Sequence, residues 1–278
     1  MGIFDGCLLA CDIDGTLMEN GYINPKNIEK IEYFMSQGGI FSISTGRSVG
    51  AISSVTSKLI RISPSVVANG CMIYDYENEK ILYQQFIPDT DRLFAKHVYD
   101  SGLPFGIEVH SQDRVFTLRR NKESDDHQHY ENLETTVVSY EDISDLKWNK
   151  VLFALNCKED YEILNKLCDS QKHSSNFIET CVYLDKKTRY YYEQIPLGVS
   201  KATAINELCK IFNIKQGCSY AIGDYYNDIE MLKNADICAV LCGAPDDIKS
   251  LADYITVSCD DGAVANFIDY LIKIHNKL

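Results

Sequence analysis

"LLACDIDGTLMEN", residues 8–20, places two carboxylates at the end of an apolar run. Leu8–Cys11 is short, continuous and apolar, the pattern of a strand buried on both faces. Asp12 and Asp14 follow with only Ile13 between them. Side chains on a strand alternate faces, so the two acids share one face where the extended backbone persists, and Ile13 points away into the fold. Gly15 then permits a sharp turn. Acids at the C-terminal end of a strand stand where an open parallel sheet meets its ligand. Taken alone, D-x-D-G also reads as an ordinary loop, since Asp and Gly are common turn residues. An EF-hand is excluded: with Asp12 at the first position of the loop, Ile23 occupies the twelfth, where a Glu is needed.

The flanking sequence repeats a strand–helix rhythm. "NPKNIEKIEYFMSQGG" (24–39) has Asn24 as an N-cap, Pro25 at the first helical position and a Gly stop. "IFSISTG" (40–46) and "SVVANG" (65–70) are short β-rich runs ending in Gly. From "SKATAINELCKIFNI" (200–214) onward, helix and strand signals alternate to the C-terminus. This alternation predicts an α/β fold with a doubly wound, mainly parallel Rossmann-like core sheet. The middle reads differently. "FGIEVH" pairs with "RVFTLRR", "FIETCVYLD" pairs with "RYYYEQI", and helices at "DTDRLFAKHVYDSG" and "EDYEILNKLCDSQKH" lie among them. Adjacent strands on short loops predict an antiparallel α+β domain. The expected organisation is a core of residues 1–85 and 195–278, with an inserted α+β cap of residues 86–194.

Composition narrows the class. The chain has 278 residues, 45% hydrophobic and 24% charged, the values of an ordinary globular protein with room for two domains. A net charge of −13 argues against nucleic acid and anionic membranes as partners. It leaves anionic small molecules open, because a bound divalent cation reverses the local sign. No apolar run is long enough to span a bilayer, and the N-terminus lacks a basic leader pattern, so the expected location is the cytoplasm. Eleven cysteines without a C-x-x-C pair read as buried free thiols.

Further strand ends carry suitable chemistry. Thr45, Gly46 and Arg47 supply a hydroxyl, an unencumbered backbone N–H and a guanidinium, groups that suit a phosphate. "AIGDYYND" supplies Asp224, Asn227 and Asp228, and Lys201 opens a helix. Each has a plain structural explanation as a cap or surface residue. Three such strand ends and a lysine in one parallel-sheet domain are hard to assign to coincidence.

The order D-I-D-G-T, S-T-G-R, Lys201, G-D-Y-Y-N-D resembles the haloacid dehalogenase-like (HAD) superfamily of phosphohydrolases, and within it the Cof-type, type IIB sugar phosphatases. "VVANG", "YYEQIPLGVSK" and "DDGAVANFI" extend the resemblance over nearly the whole chain. It departs at Ala202, where the family often has Gly, and at Gly243, where many members have Asn. The resemblance implies a Mg²⁺-dependent phosphatase of a small phosphorylated metabolite, a sugar or polyol phosphate. Asp12 would be the nucleophile, forming an aspartyl-phosphate, and Asp14 the general acid and base. Mg²⁺ would be held by the Asp12 carboxylate, the Asp14 backbone carbonyl and Asp224. Thr45 and Lys201 would hold phosphate oxygens, with Gly46, Arg47 and Asn227 as further phosphate or substrate contacts. Asp228 would orient a metal-bound water or Lys201. A phosphomutase of the same superfamily and a non-catalytic metabolite-binding protein are the alternatives. In the cap, "YYY" (190–192) and "ESDDHQHYENLE" (123–134) read as core or surface, and His127 with His129 lacks a third metal ligand.

Overall fold

A computed structural model describes residues 2–59, 61–169, 173–184 and 186–276. The chain divides into two compact units: Met1–Gly46, Ser54–Tyr83 and Ser200–Leu278 form the first, and Arg47–Ser53 with Gln84–Val199 form the second. Arg47–Ser53, which the sequence assigns with the core, groups with the second unit.

The first unit is built on a five-stranded sheet in the order Tyr254–Thr256, Ile237–Leu241, Ser219–Gly223, Leu8–Cys11, Ile40–Ile43. Every pairing in it is parallel. All four residues of Leu8–Cys11 are fully buried, as a continuous apolar run in a central strand requires. Leu8 and Ala10 pack in one cluster with Ala204, Leu208, Met231 and Val240. The helices Pro25–Ser36 and Ala263–His275 pack on each other, and Asn27 Oδ1 accepts a hydrogen bond from the Ala265 N–H. Asn24 caps the first of these helices by accepting from the Lys26 N–H, and Pro25 is its first residue. Ser65–Val67 heads a separate three-stranded sheet with Met72–Asp75 and Lys80–Gln84.

The second unit carries a six-stranded sheet ordered Thr135–Val137, Arg114–Arg119, Gly106–Ser111, Lys150–Leu155, Lys187–Pro196, Ser175–Leu184. It is antiparallel except for the first pair. Alternation gives it one apolar face and one mixed face. Ile107, Val109, Val151, Phe153 and Tyr192 face an apolar core with Phe94, Trp148 and Leu164. That core is contributed in part by the helices Arg92–Asp100 and Asp160–Asp169. The alternate positions Glu108, His110, Lys150 and Glu193 are buried as well. Helix Lys122–Tyr130, which the sequence reading did not assign, contributes Glu123 and His127 to this layer. Asn121 and Ser124 start it with a reciprocal capping box.

All eleven cysteines are free; Cys7, Cys11, Cys71, Cys238 and Cys259 are buried, whereas Cys157, Cys181 and Cys242 are exposed, so the expectation of buried thiols holds for only part of the set. Residues 170–172 and Asp185, at the ends of two segments read from the sequence, lie outside the described residues. Among the described residues no helix is long and apolar enough to cross a membrane.

Candidate active site

The C-terminal end of Leu8–Cys11 delivers Asp12, whose N–H donates to the Ile222 carbonyl on the neighbouring strand. Asp12 is 4% exposed and Ile13 fully buried, while Asp14 is exposed. Beyond Ile13 the chain turns back tightly: the N–H groups of Thr16, Leu17 and Met18 all donate to the Ile13 carbonyl. Gly15 makes this turn with φ +81°, and a Cβ there would stand 2.7 Å from Asp224 Oδ2. Thr16 donates its hydroxyl to Asp224 Oδ1 at 2.8 Å. The same turn therefore aims one acid and anchors another.

Lys201 is the first residue of the helix Lys201–Ile211, capped by Ser200. Its Nζ donates to Asp12 Oδ1 at 2.6 Å and to Asp228 Oδ1 at 2.7 Å. Asp228 is fully buried and its other oxygen accepts the backbone N–H groups of Asp224 and Tyr225. Both Asp228 oxygens are thus engaged within the protein, which leaves Asp228 to orient Lys201 and the Asp224 loop.

The electrostatics follow from three carboxylates sharing one ammonium. Burial opposes the Lys201 charge, but Asp12 and Asp228 hold it protonated well above an ordinary lysine. Burial, then the nearby Asp228 carboxylate, push Asp12 well above the carboxylate range in spite of Lys201. Burial also raises Asp224 to about 6, offset in part by the Thr16 hydrogen bond and reinforced by Asp228. A buried cluster short of positive charge with hard oxygen donors suits a divalent cation. One carboxylate oxygen each from Asp12, Asp224 and Asp228 lie within 4.8 Å of one another. The Cβ-free space at Gly15 faces Asp224 in the same place, so the residues fit a metal ion.

Asp12, Asp224, Asp228 and Lys201 are thus brought together. Thr45, 2% exposed, follows the strand Ile40–Ile43 and donates its N–H to the Val66 carbonyl. A Cβ on Gly46 would come within 2.8 Å of Asn69 Oδ1, and the Asn69 N–H donates to the Thr45 carbonyl. Arg47 is buried with its guanidinium 5.1 Å from the Tyr130 ring centre, in the second unit. Asn227 is exposed on a short turn, Tyr226–Asp228. Sequence reasoning gave no role to Thr16 or Asn69. Thr16 was readable as the hydroxyl closing D-I-D-G-T. Asn69 lies in "VVANG", where Asn before Gly suits the left-handed backbone it adopts at φ 57°, but nothing in the sequence pairs it with Gly46.

The family model for haloacid dehalogenase-like hydrolases matches residues 9–268. The chain is 25% identical to the 5-amino-6-(5-phospho-D-ribitylamino)uracil phosphatase YwtE of Bacillus subtilis, with 95% of this chain and 98% of the relative covered. It is 24% identical to phosphatase YwpJ of the same organism, covering 95% and 99%. Among solved structures, the HAD subclass IIB sugar phosphatase BT4131 superposes with a TM-score of 0.80 at 21% identity, covering 95% and 98%. TM0651 from Thermotoga maritima also gives 0.80 at 21% identity, covering 95% and 97%. YwtE and YwpJ are named phosphatases and BT4131 a sugar phosphatase, in keeping with a phosphoric monoester hydrolase. The chain belongs to the haloacid dehalogenase-like hydrolases.

Proposed function

We propose that this protein is a Mg²⁺-dependent phosphatase of a polyol or sugar phosphate, working through an aspartyl-phosphate on Asp12. The observation that carries the reading is the buried Lys201 ammonium bound at once to Asp12 and Asp228, with Asp224 alongside. Asp12 presents a carboxylate oxygen to phosphorus, displacing the alcohol oxygen. Lys201 holds Asp12 in position and offsets charge that builds on the phosphoryl oxygens. Thr45 and Gly46 offer a hydroxyl and a backbone N–H to the same oxygens. Asp14, open to solvent, protonates the departing oxygen and afterwards takes a proton from the water that cleaves the acyl-phosphate. Asp12 and Asp224, with the Asp14 carbonyl, would hold Mg²⁺, which supplies neutralisation of the phosphate charge that would otherwise repel Asp12.

The substrate class is supported by the relatives. YwtE is named for a phosphoribityl compound and BT4131 for a sugar phosphate activity, both polyhydroxylated esters. The second unit would then act as the inserted cap that selects the leaving group. Phosphate release from a panel of sugar, polyol and nucleotide monophosphates, with and without a chelator, tests this. Release from sugar or polyol esters that stops with the chelator is expected. Release from none of the panel would overturn the reading.

A further inference from the structure

His110 is buried to 3% exposure, and neither of its ring nitrogens has a hydrogen-bond partner. Such an imidazole inside a protein is costly, because burial removes its water without replacing it. It lies on the mixed face of the six-stranded sheet, which also carries Leu152, Ala154 and Tyr191, directly across the ladder from Lys150. Around it stand paired charges. Lys150 bridges to Glu193 at 3.0 Å, and His127 reaches Glu108 at 2.9 Å and Glu131 at 3.5 Å. Two more atoms in the layer, Glu131 Oε2 and Glu123 Oε2, are also buried without a partner.

The vacant bonds define a complement. Burial, then the charge of Lys150, keeps His110 neutral, so one ring nitrogen donates and the other accepts. Glu131, held down at about 2 by His127 against the effect of burial, can only accept. A fully ionised anion has no proton to donate to Glu131, and any anion would face Glu108 and Glu193. A cation would face Lys150 and the His127 imidazolium, which is raised to about 10 by Glu108 and Glu131 despite burial. A hydroxyl both donates and accepts, and neighbouring hydroxyls on a carbon chain can serve His110 and Glu131 together. Entry is at hand. Gln128 donates to Glu108 Oε1 at 2.8 Å and also lines an open groove of about 850 Å³ with Arg114, Asp125 and His129.

We propose that the second unit contains a binding site for a polyhydroxylated carbon chain, in which His110 is the specificity-determining residue that reads the hydroxyl groups. As a statement about substrate it rests on the phosphatase reading; as a statement about binding it does not, and its test needs no turnover. The full chain, labelled with ¹⁵N in histidine, is titrated with D-ribitol, D-glucitol and D-glucose, their monophosphates, and inorganic phosphate. His110 is assigned by the signals missing from His110→Asn. Its ring nitrogens are expected to shift with at least one polyol or sugar and its monophosphate, and to stay still with inorganic phosphate. Affinity for that ligand, measured by calorimetry, falls about 10-fold or more in His110→Phe, and His110→Asn, which keeps a donor and an acceptor, recovers part of it. His110 signals unmoved by every polyol and ester, the behaviour of a pocket holding only buried water, would overturn the proposal. So would signals that move equally with inorganic phosphate. If binding is seen but no ester is hydrolysed, the phosphatase reading fails and the site stands.

Discussion

Lys201 Nζ donates a 2.6 Å hydrogen bond to Asp12 Oδ1, joining the first residue of a helix to an acid 189 positions earlier at the end of the buried strand Leu8–Cys11. The same ammonium holds Asp228. Removing it strips two buried carboxylates of their shared counter-charge. Lys201→Met is expected to lower kcat/KM for a phosphate ester by about 100-fold or more, the scale of losing one charge-stabilising donor. It should also cost about 3–5 kcal/mol of stability, as breaking one side of a buried pair does. Steady-state kinetics and denaturant melts read the two effects separately.

Gly15 combines a positive φ with a Cβ position 2.7 Å from Asp224 Oδ2. Gly15→Ala therefore strains the backbone and displaces a metal-holding acid. Stability should fall by more than about 1 kcal/mol, and the Mg²⁺ concentration needed for half-maximal activity should rise about 10-fold to 100-fold. An unchanged metal requirement would show that the Asp224 position is not sensitive to this turn.

The His127 cluster gives the second unit a defined pH profile. His127 is raised from 6.5 to about 10, so its contribution to stability is complete below pH 6.5 and disappears as pH climbs through about 10. Glu131 is lowered from 4.5 to about 2, so its contribution is present above pH 4.5 and lost as pH falls through about 2. Because the two groups face each other, stability from this pair should be greatest between pH 4.5 and 6.5. Urea midpoints for the wild type and His127→Gln should differ most in that window and converge toward pH 10.

Metal binding should register in the folded protein without substrate. A ligand held at 100 times its Kd adds about 2.7 kcal/mol. Mg²⁺ should therefore raise the wild-type Tm by a few degrees and leave Asp224→Ala unmoved. Equal shifts in both proteins would place the ion elsewhere.

Most of the first unit was legible because its signals are local. Leu8–Cys11 is apolar throughout, Asn24 and Pro25 mark a helix start, and the acids follow strand ends. Lys201 was legible as a helix opening, but its burial between Asp12 and Asp228 arises only when distant segments meet. Helix Lys122–Tyr130 escaped because its inward positions, Glu123 and His127, are polar. An amphipathic pattern presumes an apolar partner, whereas this helix pairs with Glu108 and Lys187. For the same reason His127 and His129 resembled a metal pair in sequence; in the fold His127 is buried against two glutamates and His129 is exposed. His110 and Glu108 sit in the alternating strand "FGIEVH", and their pattern announces a two-faced strand without saying what the polar face meets.

The central claim is that Asp12 forms the covalent intermediate, and Asp12→Asn tests it most directly. The variant keeps the side chain's shape and removes the nucleophilic charge. Phosphate release from the best sugar or polyol ester, measured with saturating Mg²⁺ on protein shown to be folded, should fall by about 10⁴-fold or more, toward the residual rate left when a nucleophile is removed. Turnover by Asp12→Asn at the wild-type rate would contradict the account.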